Sequence, residues 1–180
     1  ESGLFHRFDA TNIINKNLAS IITSIGLDHL DWLPKNEQTI EKIVFEKTSN
    51  LLSSNIVVAK QSSEKTLNLI KKNILNNKSD KIIFNEKYSC SVNENGFIYY
   101  EDEFGSLKLP QPNVLGRFQI ENISTAIATI RKLNLNVNSD NIKNGITKIQ
   151  SIARFQEINK GKIKDLCKNN KIYIDGSHNP

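Results

Sequence analysis

The sequence predicts an α/β fold built around a largely parallel β-sheet. Short apolar runs that suit buried strands alternate with segments whose apolar residues recur at helical spacing, a pattern typical of parallel sheets covered by helices. Between residues 81 and 109 the apolar period falls to about two. This change predicts a small antiparallel β meander beside the main sheet.

Each predicted element follows from a local pattern of apolar, capping and turn residues. The strands are short apolar or alternating runs, and each helix has one apolar stripe. In chain order the elements are a strand at 18–25, a helix at 36–51 capped by Asn36, a strand at 56–60, a helix capped by Ser62 or Ser63, strands at 81–84, 88–92, 97–100 and 107–109, a helix following Gly116, a helix capped by Ser139, and a strand at 171–174. The Asn-Glu-Asn-Gly sequence at 93–96 predicts a hairpin turn within the meander.

The composition excludes several classes of protein. With 180 residues, 38% apolar and 24% charged, the chain is globular rather than disordered. It has no apolar run of the ~18 residues that a membrane helix needs. Its two cysteines, Cys90 and Cys167, are too few for a disulfide framework and fit a reducing cytoplasm. The net charge of +5 comes mainly from lysine, with no basic cluster interleaved with aromatics, which argues against nucleic-acid binding.

In α/β sheets, ligands bind at the carboxyl ends of the strands. Three polar clusters are predicted at such places: residues 1–12, 28–31 and 175–179. In the second cluster His29 lies between the carboxylates of Asp28 and Asp31, a set of side chains that can bind a divalent metal. The alternative is a loop in which the aspartates cap turns and the imidazole is solvated.

Lys47 is the one charged residue on the otherwise apolar face of the helix at 36–51, which it shares with Ile40, Ile43, Val44 and Leu51. An ammonium on a buried face is costly. The side chain can snorkel to solvent, pair with a carboxylate, or lose its proton and react with carbon dioxide to form a carbamate, which is an anionic metal ligand.

Two further polar residues are weaker candidates. Asn122 is predicted in the first turn of a helix, where phosphate and nucleotide groups bind, although a plain capping or first-turn role is the better interpretation of this residue alone. Arg154 lies in an irregular stretch and alone indicates little. The sequence contains no Gly-x-x-x-x-Gly-Lys-Ser/Thr phosphate loop.

Six motifs, in order from one end of the chain to the other, resemble those of the folylpolyglutamate synthase and dihydrofolate synthase family, a branch of the Mur ligase superfamily. They are Glu-Ser-Gly-Leu-Phe-His-Arg-Phe-Asp-Ala-Thr-Asn at 1–12, Thr-Ser-Ile-Gly-Leu-Asp-His-Leu-Asp-Trp-Leu at 23–33, Glu-Lys at 46–47, Gly-Arg-Phe-Gln with Asn122 at 116–122, Arg-Phe-Gln at 154–156, and Asp-Gly-Ser-His-Asn-Pro at 175–180.

The resemblance implies an ATP-dependent ligase that adds L-glutamate to dihydropteroate or a folate through an acyl phosphate, with two magnesium sites. It implies a monomer whose partners are these small substrates and the N- and C-terminal parts of the same enzyme, with no nucleic acid and no membrane. By resemblance the site residues are Glu1, His29 and a carbamylated Lys47 for magnesium, with Lys47 and His29 catalytic; Asn122, Arg154, Asp175 and His178 for ATP; and Phe8, Asp9 and Ala10 for the pterin.

The resemblance also implies how the chain is organised. Residues 1–170 correspond to the later part of a Mur-ligase P-loop ATPase domain, and residues 171–180 to the start of the C-terminal ligase domain. The family's phosphate loop lies upstream of Glu1, so we expect an internal segment that is inactive alone. A non-catalytic remnant is the alternative, because the sequence departs from the family at three places. The family's Gly-Gly is Phe5-His6 here, its Ala-Gly-Ile is Thr48-Ser49-Asn50, and its glycine before the arginine is Ala153.

Overall fold

The computed structural model describes residues 2–5, 8–14 and 17–177. Short 3-10 turns at Ala10–Ile13, Leu30–Trp32 and Lys35–Glu37 accompany the main elements. These elements are β1 (Ser20–Ile22), α1 (Ile40–Thr48), β2 (Asn55–Val58), α2 (Glu64–Ile74), β3 (Asp80–Ile83), β4 (Tyr88–Val92), β5 (Ile98–Asp102), β6 (Gly105–Leu109), α3 (Arg117–Lys132), α4 (Ser139–Lys148), β7 (Gln156–Glu157), α5 (Lys162–Leu166) and β8 (Tyr173–Ile174).

The main sheet is parallel, with the strand order β1-β2-β3, as the sequence predicts. Its two faces bury different clusters. Ile56 and Val58 of β2 pack in a cluster that also holds apolar residues of α1 and α2. Val57 of β2 points to the other face and packs in a second cluster with residues of α3, α4 and the antiparallel strands. Because β2 is buried on both faces, its sequence is continuously apolar.

The antiparallel sheet has the order β4-β5-β6 and covers residues 88–109. The prediction of a meander beginning at residue 81 is therefore wrong for its first strand, because β3 pairs in parallel with β2. Ile82 and Ile83 are both buried, one in each cluster, and a strand buried on both faces suits the parallel sheet. The predicted hairpin turn is confirmed: Gly96 has φ of 77° and donates its N–H to the Asn93 carbonyl (3.0 Å).

Several helix boundaries differ from the prediction because a neighbouring residue makes the cap. Thr39, not Asn36, caps α1 by accepting from the Lys42 N–H. Asn138, not Ser139, caps α4 in a reciprocal capping box with Asn141. Ser63 caps α2, one of the two alternatives. The predicted strand at 18–25 is confined to Ser20–Ile22.

Strand β8 pairs with β7, so that Gln156 lies opposite Ile174. The sequence predicted β8 but neither β7 nor α5, which are only two and five residues long. Within the described residues, no helix combines the length and apolarity that crossing a membrane requires.

Candidate functional site

Lys47 lies in the last turn of α1 and joins that helix to the N-terminal loop. Its ammonium donates hydrogen bonds to the carbonyl oxygens of Ser2 (3.3 Å) and Gly3 (3.1 Å). The residue is half-buried, beside the buried Ile43 and Val44 of the same helix. The side chain is thus neither in the core nor fully solvated, and two carbonyl oxygens hold it in place.

Asp9 organises the same N-terminal loop. One carboxylate oxygen accepts from the Gly3 N–H (2.8 Å), and the other accepts from the N–H (2.9 Å) and hydroxyl (2.7 Å) of Thr11. Gly3 therefore links Asp9 to Lys47 through its N–H and its carbonyl. Phe8 is 75% exposed and Ala10 is also exposed. These two residues present an open apolar surface beside a carboxylate that holds the loop together.

His29 follows β1 and adopts a left-handed backbone conformation (φ 52°, ψ 33°) before the 3-10 turn at Leu30–Trp32. Its Nε2 lies 3.3 Å from an Asp28 carboxylate oxygen, and its ring centroid lies 5.7 Å from that of Trp32. Two glutamines that the sequence analysis did not single out, Gln38 and Gln61, bond to the chain on either side of His29.

Asn122 is exposed and lies sixth in α3, in its second turn. The prediction that it lies in the first turn is wrong, because Gly116 directly precedes the helix. Only the first four N–H groups of a helix lack partners within it, so Asn122 can offer a ligand its side chain but not a free N–H. The adjacent Glu121 pairs with Lys60, just beyond β2, at 2.8 Å. This ion pair, which the sequence analysis also missed, holds the second turn of α3 near the carboxyl end of β2.

Arg154 and Asp175 are brought close together, which the sequence alone did not indicate. Strands β7 and β8 pair directly beside them, and the Gly176 N–H donates to the Ala153 carbonyl (2.7 Å). The rings of Phe155 and Tyr173 stack with centroids 5.0 Å apart. Both Arg154 and Asp175 are exposed, and the strand pairing brings their backbones near one another.

Two predicted site residues, Glu1 and His178, lie outside the described residues. Among those that are described, no group of three or more His, Cys, Asp or Glu side chains could hold a metal ion. The Ser2 and Gly3 carbonyl oxygens already bind a cation, the Lys47 ammonium, and oxygen donors are those that magnesium prefers. The Lys47 ammonium occupies both carbonyl oxygens, and Glu1, the predicted carboxylate ligand, lies outside the described residues.

No protein-family model matches this chain. Among curated proteins, the dihydrofolate synthase/folylpolyglutamate synthase of Escherichia coli K12 is 29% identical over 187 residues, covering 100% of this chain and 38% of the relative. The chain therefore spans about two fifths of the length of this relative. The resemblance that the six motifs indicate is confirmed along the whole chain.

Solved structures agree with the curated relatives. The structure of Escherichia coli FolC in complex with DHPP and ADP aligns with a TM-score of 0.76 and 28% identity, covering 99% of this chain and 39% of that one. A folylpolyglutamate synthase from Thermotoga maritima aligns with a TM-score of 0.77 and 23% identity, with the same two coverages. The α/β fold predicted by resemblance is confirmed as that of folylpolyglutamate synthases.

Proposed function

We propose that this chain forms part of an ATP-dependent ligase that joins L-glutamate to dihydropteroate or to a folate. The observation that carries the proposal is the match of the whole chain to dihydrofolate synthase/folylpolyglutamate synthases, together with a similar structure that holds DHPP and ADP. The parallel sheet supports it, because polar loops follow β1 and β2 at the edge where α/β proteins bind nucleotides.

The proposed reaction has two steps. A carboxylate oxygen of the pteroate or folate attacks the γ-phosphorus of ATP, forming an acyl phosphate and releasing ADP. The amine of glutamate then attacks the acyl carbon, the bond to the phosphate oxygen breaks, the nitrogen loses a proton, and an amide and phosphate remain. Catalysis of such transfers depends on positioning and on neutralising charge.

Each predicted site residue has a role in this proposal, and the roles rest on the resemblance. We assign Glu1, His29 and Lys47 to two magnesium ions, which would neutralise phosphate charge, and we take Lys47 and His29 as catalytic. The residues assigned to ATP are Asn122, Arg154, Asp175 and His178. Those assigned to the pterin are Phe8, Asp9 and Ala10.

Lys47 must change its contacts to serve as a carbamate. The structure shows an ammonium pointing at two carbonyl oxygens, and an anionic carbamate in the same position would be repelled by them. Carbamylation therefore requires the side chain to turn away from Ser2 and Gly3, and a magnesium ion, when bound, would offset the charge of the carbamate. The carbamate forms only where the rest of the site is assembled.

Two departures from the family are relevant to the alternative, a non-catalytic remnant. Phe5, which replaces a glycine, packs against the apolar cluster beneath α1 and α2 rather than standing in open space. This packing weakens the argument that Phe5 crowds a ligand. Ala153, which also replaces a glycine, has φ of 54°, a conformation that glycine adopts without strain. The strain at Ala153 affects the stability of this loop and does not by itself favour the remnant.

The proposal also concerns domain organisation. We assign residues 1–170 to an ATPase domain and place the start of a second domain at residue 171. Strand β7, in the first assigned domain, pairs across this boundary with β8, in the second. Because the sequence contains no glycine-rich phosphate loop, we expect the 180 residues alone to release no ADP.

The experiment is to incubate the complete gene product with ATP, magnesium, dihydropteroate and glutamate, and to measure ADP and the glutamylated product by mass spectrometry. The proposal predicts that product and ADP accumulate together over many turnovers only when glutamate is present, and that without glutamate at most one ADP forms per protein molecule. A complete, folded protein that forms neither product would support the remnant instead. The expressed 180-residue chain serves as the inactive control.

A further inference from the structure

Gln61 extends the pairing between β1 and β2 beyond the last residue of β1. The ladder ends with the Ala59 N–H donating to the Ile22 carbonyl (2.8 Å). Beyond it, the Gln61 side chain accepts from the Ile25 N–H (3.0 Å) and donates to the carbonyls of Thr23 (3.2 Å) and Ala59 (2.9 Å). A glutamine amide carries the same donor and acceptor groups as a peptide unit, so it substitutes for a strand residue here.

The orientation of the Gln61 amide is fixed by its partners. Its oxygen faces one N–H group and its nitrogen faces two carbonyl oxygens, so a flipped amide would oppose donor to donor and acceptor to acceptor. All three partners are backbone groups. The contact therefore depends on the amide of Gln61 rather than on the side chains of the loop.

Gln38 holds the chain on the other side of His29. Its side-chain nitrogen donates to the carbonyls of Leu30 (2.7 Å) and Leu33 (3.1 Å). His29 thus lies between a segment tied by Gln61 and a segment tied by Gln38, and its own backbone is left-handed. A left-handed residue other than glycine persists only where its surroundings hold it.

We propose that Gln61 and Gln38 are positioning residues that fix the loop at 23–33 and so aim the His29 imidazole at the magnesium site. This inference rests on the proposed function, in which His29 binds the metal. Hydrogen-bond partners of a metal ligand typically change metal affinity by about 10–100-fold when they are removed, and Gln61 and Gln38 act on this ligand through the backbone on either side of it. Neither glutamine touches the reacting groups in this proposal.

The test uses the complete gene product with the variants Gln61→Leu, Gln38→Leu and Gln61→Glu, and with Gln111→Leu as the control at an exposed glutamine after β6. The first measurement is amide hydrogen exchange by NMR. In Gln61→Leu we expect the Ile25 amide to exchange at least about tenfold faster, since it loses its acceptor. Gln61→Glu keeps an acceptor for that amide, so its Ile25 protection should largely survive.

The second measurement is the broadening of His29 ring resonances by Mn²⁺. In Gln61→Leu and Gln38→Leu we expect the Mn²⁺ concentration for half-maximal broadening to rise about 10–100-fold. We expect Gln111→Leu to match the parent. A purely structural role would instead reduce amide protection throughout β2, at Val57 as much as at Ile25, and leave the Mn²⁺ response of the folded protein unchanged.

The outcomes separate the inference from the proposed function. Parental Ile25 protection in Gln61→Leu, or parental Mn²⁺ response in both leucine variants, overturns the positioning role. If the parent shows no broadening of His29 at all, the metal role fails, while amide exchange still decides whether Gln61 holds the loop. If Gln61→Leu fails to fold, the positioning role is tested with Gln38→Leu and Gln61→Glu instead. Gln61→Glu loses the two hydrogen bonds that the Gln61 amide donates, so it must still weaken the Mn²⁺ response.

Discussion

Replacing Ala153 by glycine is predicted to stabilise the protein. Ala153 has φ of 54°, and its N–H donates to the Gln156 side-chain oxygen (3.0 Å) while its carbonyl accepts from the Gly176 N–H (2.7 Å). These two hydrogen bonds hold the backbone in the left-handed region, where the Cβ atom of alanine is close to the following carbonyl oxygen. Glycine at this position keeps both bonds and removes the Cβ atom.

Two opposing terms set the magnitude. A left-handed conformation costs a residue other than glycine about 1–2 kcal/mol. Glycine has more freedom in the unfolded chain, which costs about 0.4–1 kcal/mol. The expected net gain in the free energy of unfolding is therefore about 0.5–1 kcal/mol, which for a protein of this size raises the melting temperature by about 1–4 °C.

The assay is calorimetric melting, with urea unfolding in parallel. Ala126→Gly is the matched control, because Ala126 is exposed in the interior of the right-handed helix α3. There the same substitution should cost about 1 kcal/mol. The reasoning is refuted if Ala153→Gly lowers stability as Ala126→Gly does.

Three further predictions concern other parts of the chain. Lys47→Ala should abolish glutamate ligation in the complete gene product, with partial rescue by short carboxylic acids that replace the carbamate; normal turnover would exclude that role. Arg131→Ala should lower the free energy of unfolding by about 1.5–3 kcal/mol, since Asp102, whose side chain is 5% exposed, loses its guanidinium but keeps hydrogen bonds from the Tyr100 hydroxyl and the Phe104 N–H; a loss below about 0.5 kcal/mol in urea unfolding would contradict this. Burial raises the pKa of Tyr88 to about 12, so the folded state retains a proton that the unfolded state loses near pH 10, and stability should fall as pH rises from 10 to 12. Tyr88→Phe should reduce that slope in unfolding measurements at pH 9 and pH 11 without abolishing it, because burial also raises the pKa of Tyr100; an unchanged slope would mean that groups other than Tyr88 cause it.

The sequence predicted the fold where one strong local pattern decided it. Helix α2 is capped by Ser63, one of the two serines predicted, and the apolar stripe predicted for each helix is here the one that buries Ile70 and Ile74. Strand β3 was assigned to the wrong sheet because a run of only three apolar residues, 82–84, fits a parallel or an antiparallel neighbour equally well. Only the pairing with β2, a tertiary contact, distinguishes them.

The site was predictable to the extent that it depends on residue type. Lys47 was singled out as a lysine on an apolar face, and its contact with the loop at 2–3 then followed from the fold. Gln61 was missed because a glutamine that bonds backbone groups has no sequence signature: its partners lie up to 38 positions away. The proximity of Arg154 to Asp175 was missed for the same reason, since two-residue strands are too short to detect.

Transfer of oxygen from the substrate carboxylate to phosphate tests the central claim most directly. The complete gene product is given dihydropteroate labelled with ¹⁸O in its carboxylate, together with ATP, magnesium and glutamate, and the released phosphate is analysed by mass spectrometry. Ligation through an acyl phosphate predicts one ¹⁸O atom in each phosphate, with one amide formed for each ADP. Phosphate without ¹⁸O would show that water, not the carboxylate, attacks ATP, and would contradict the proposed function.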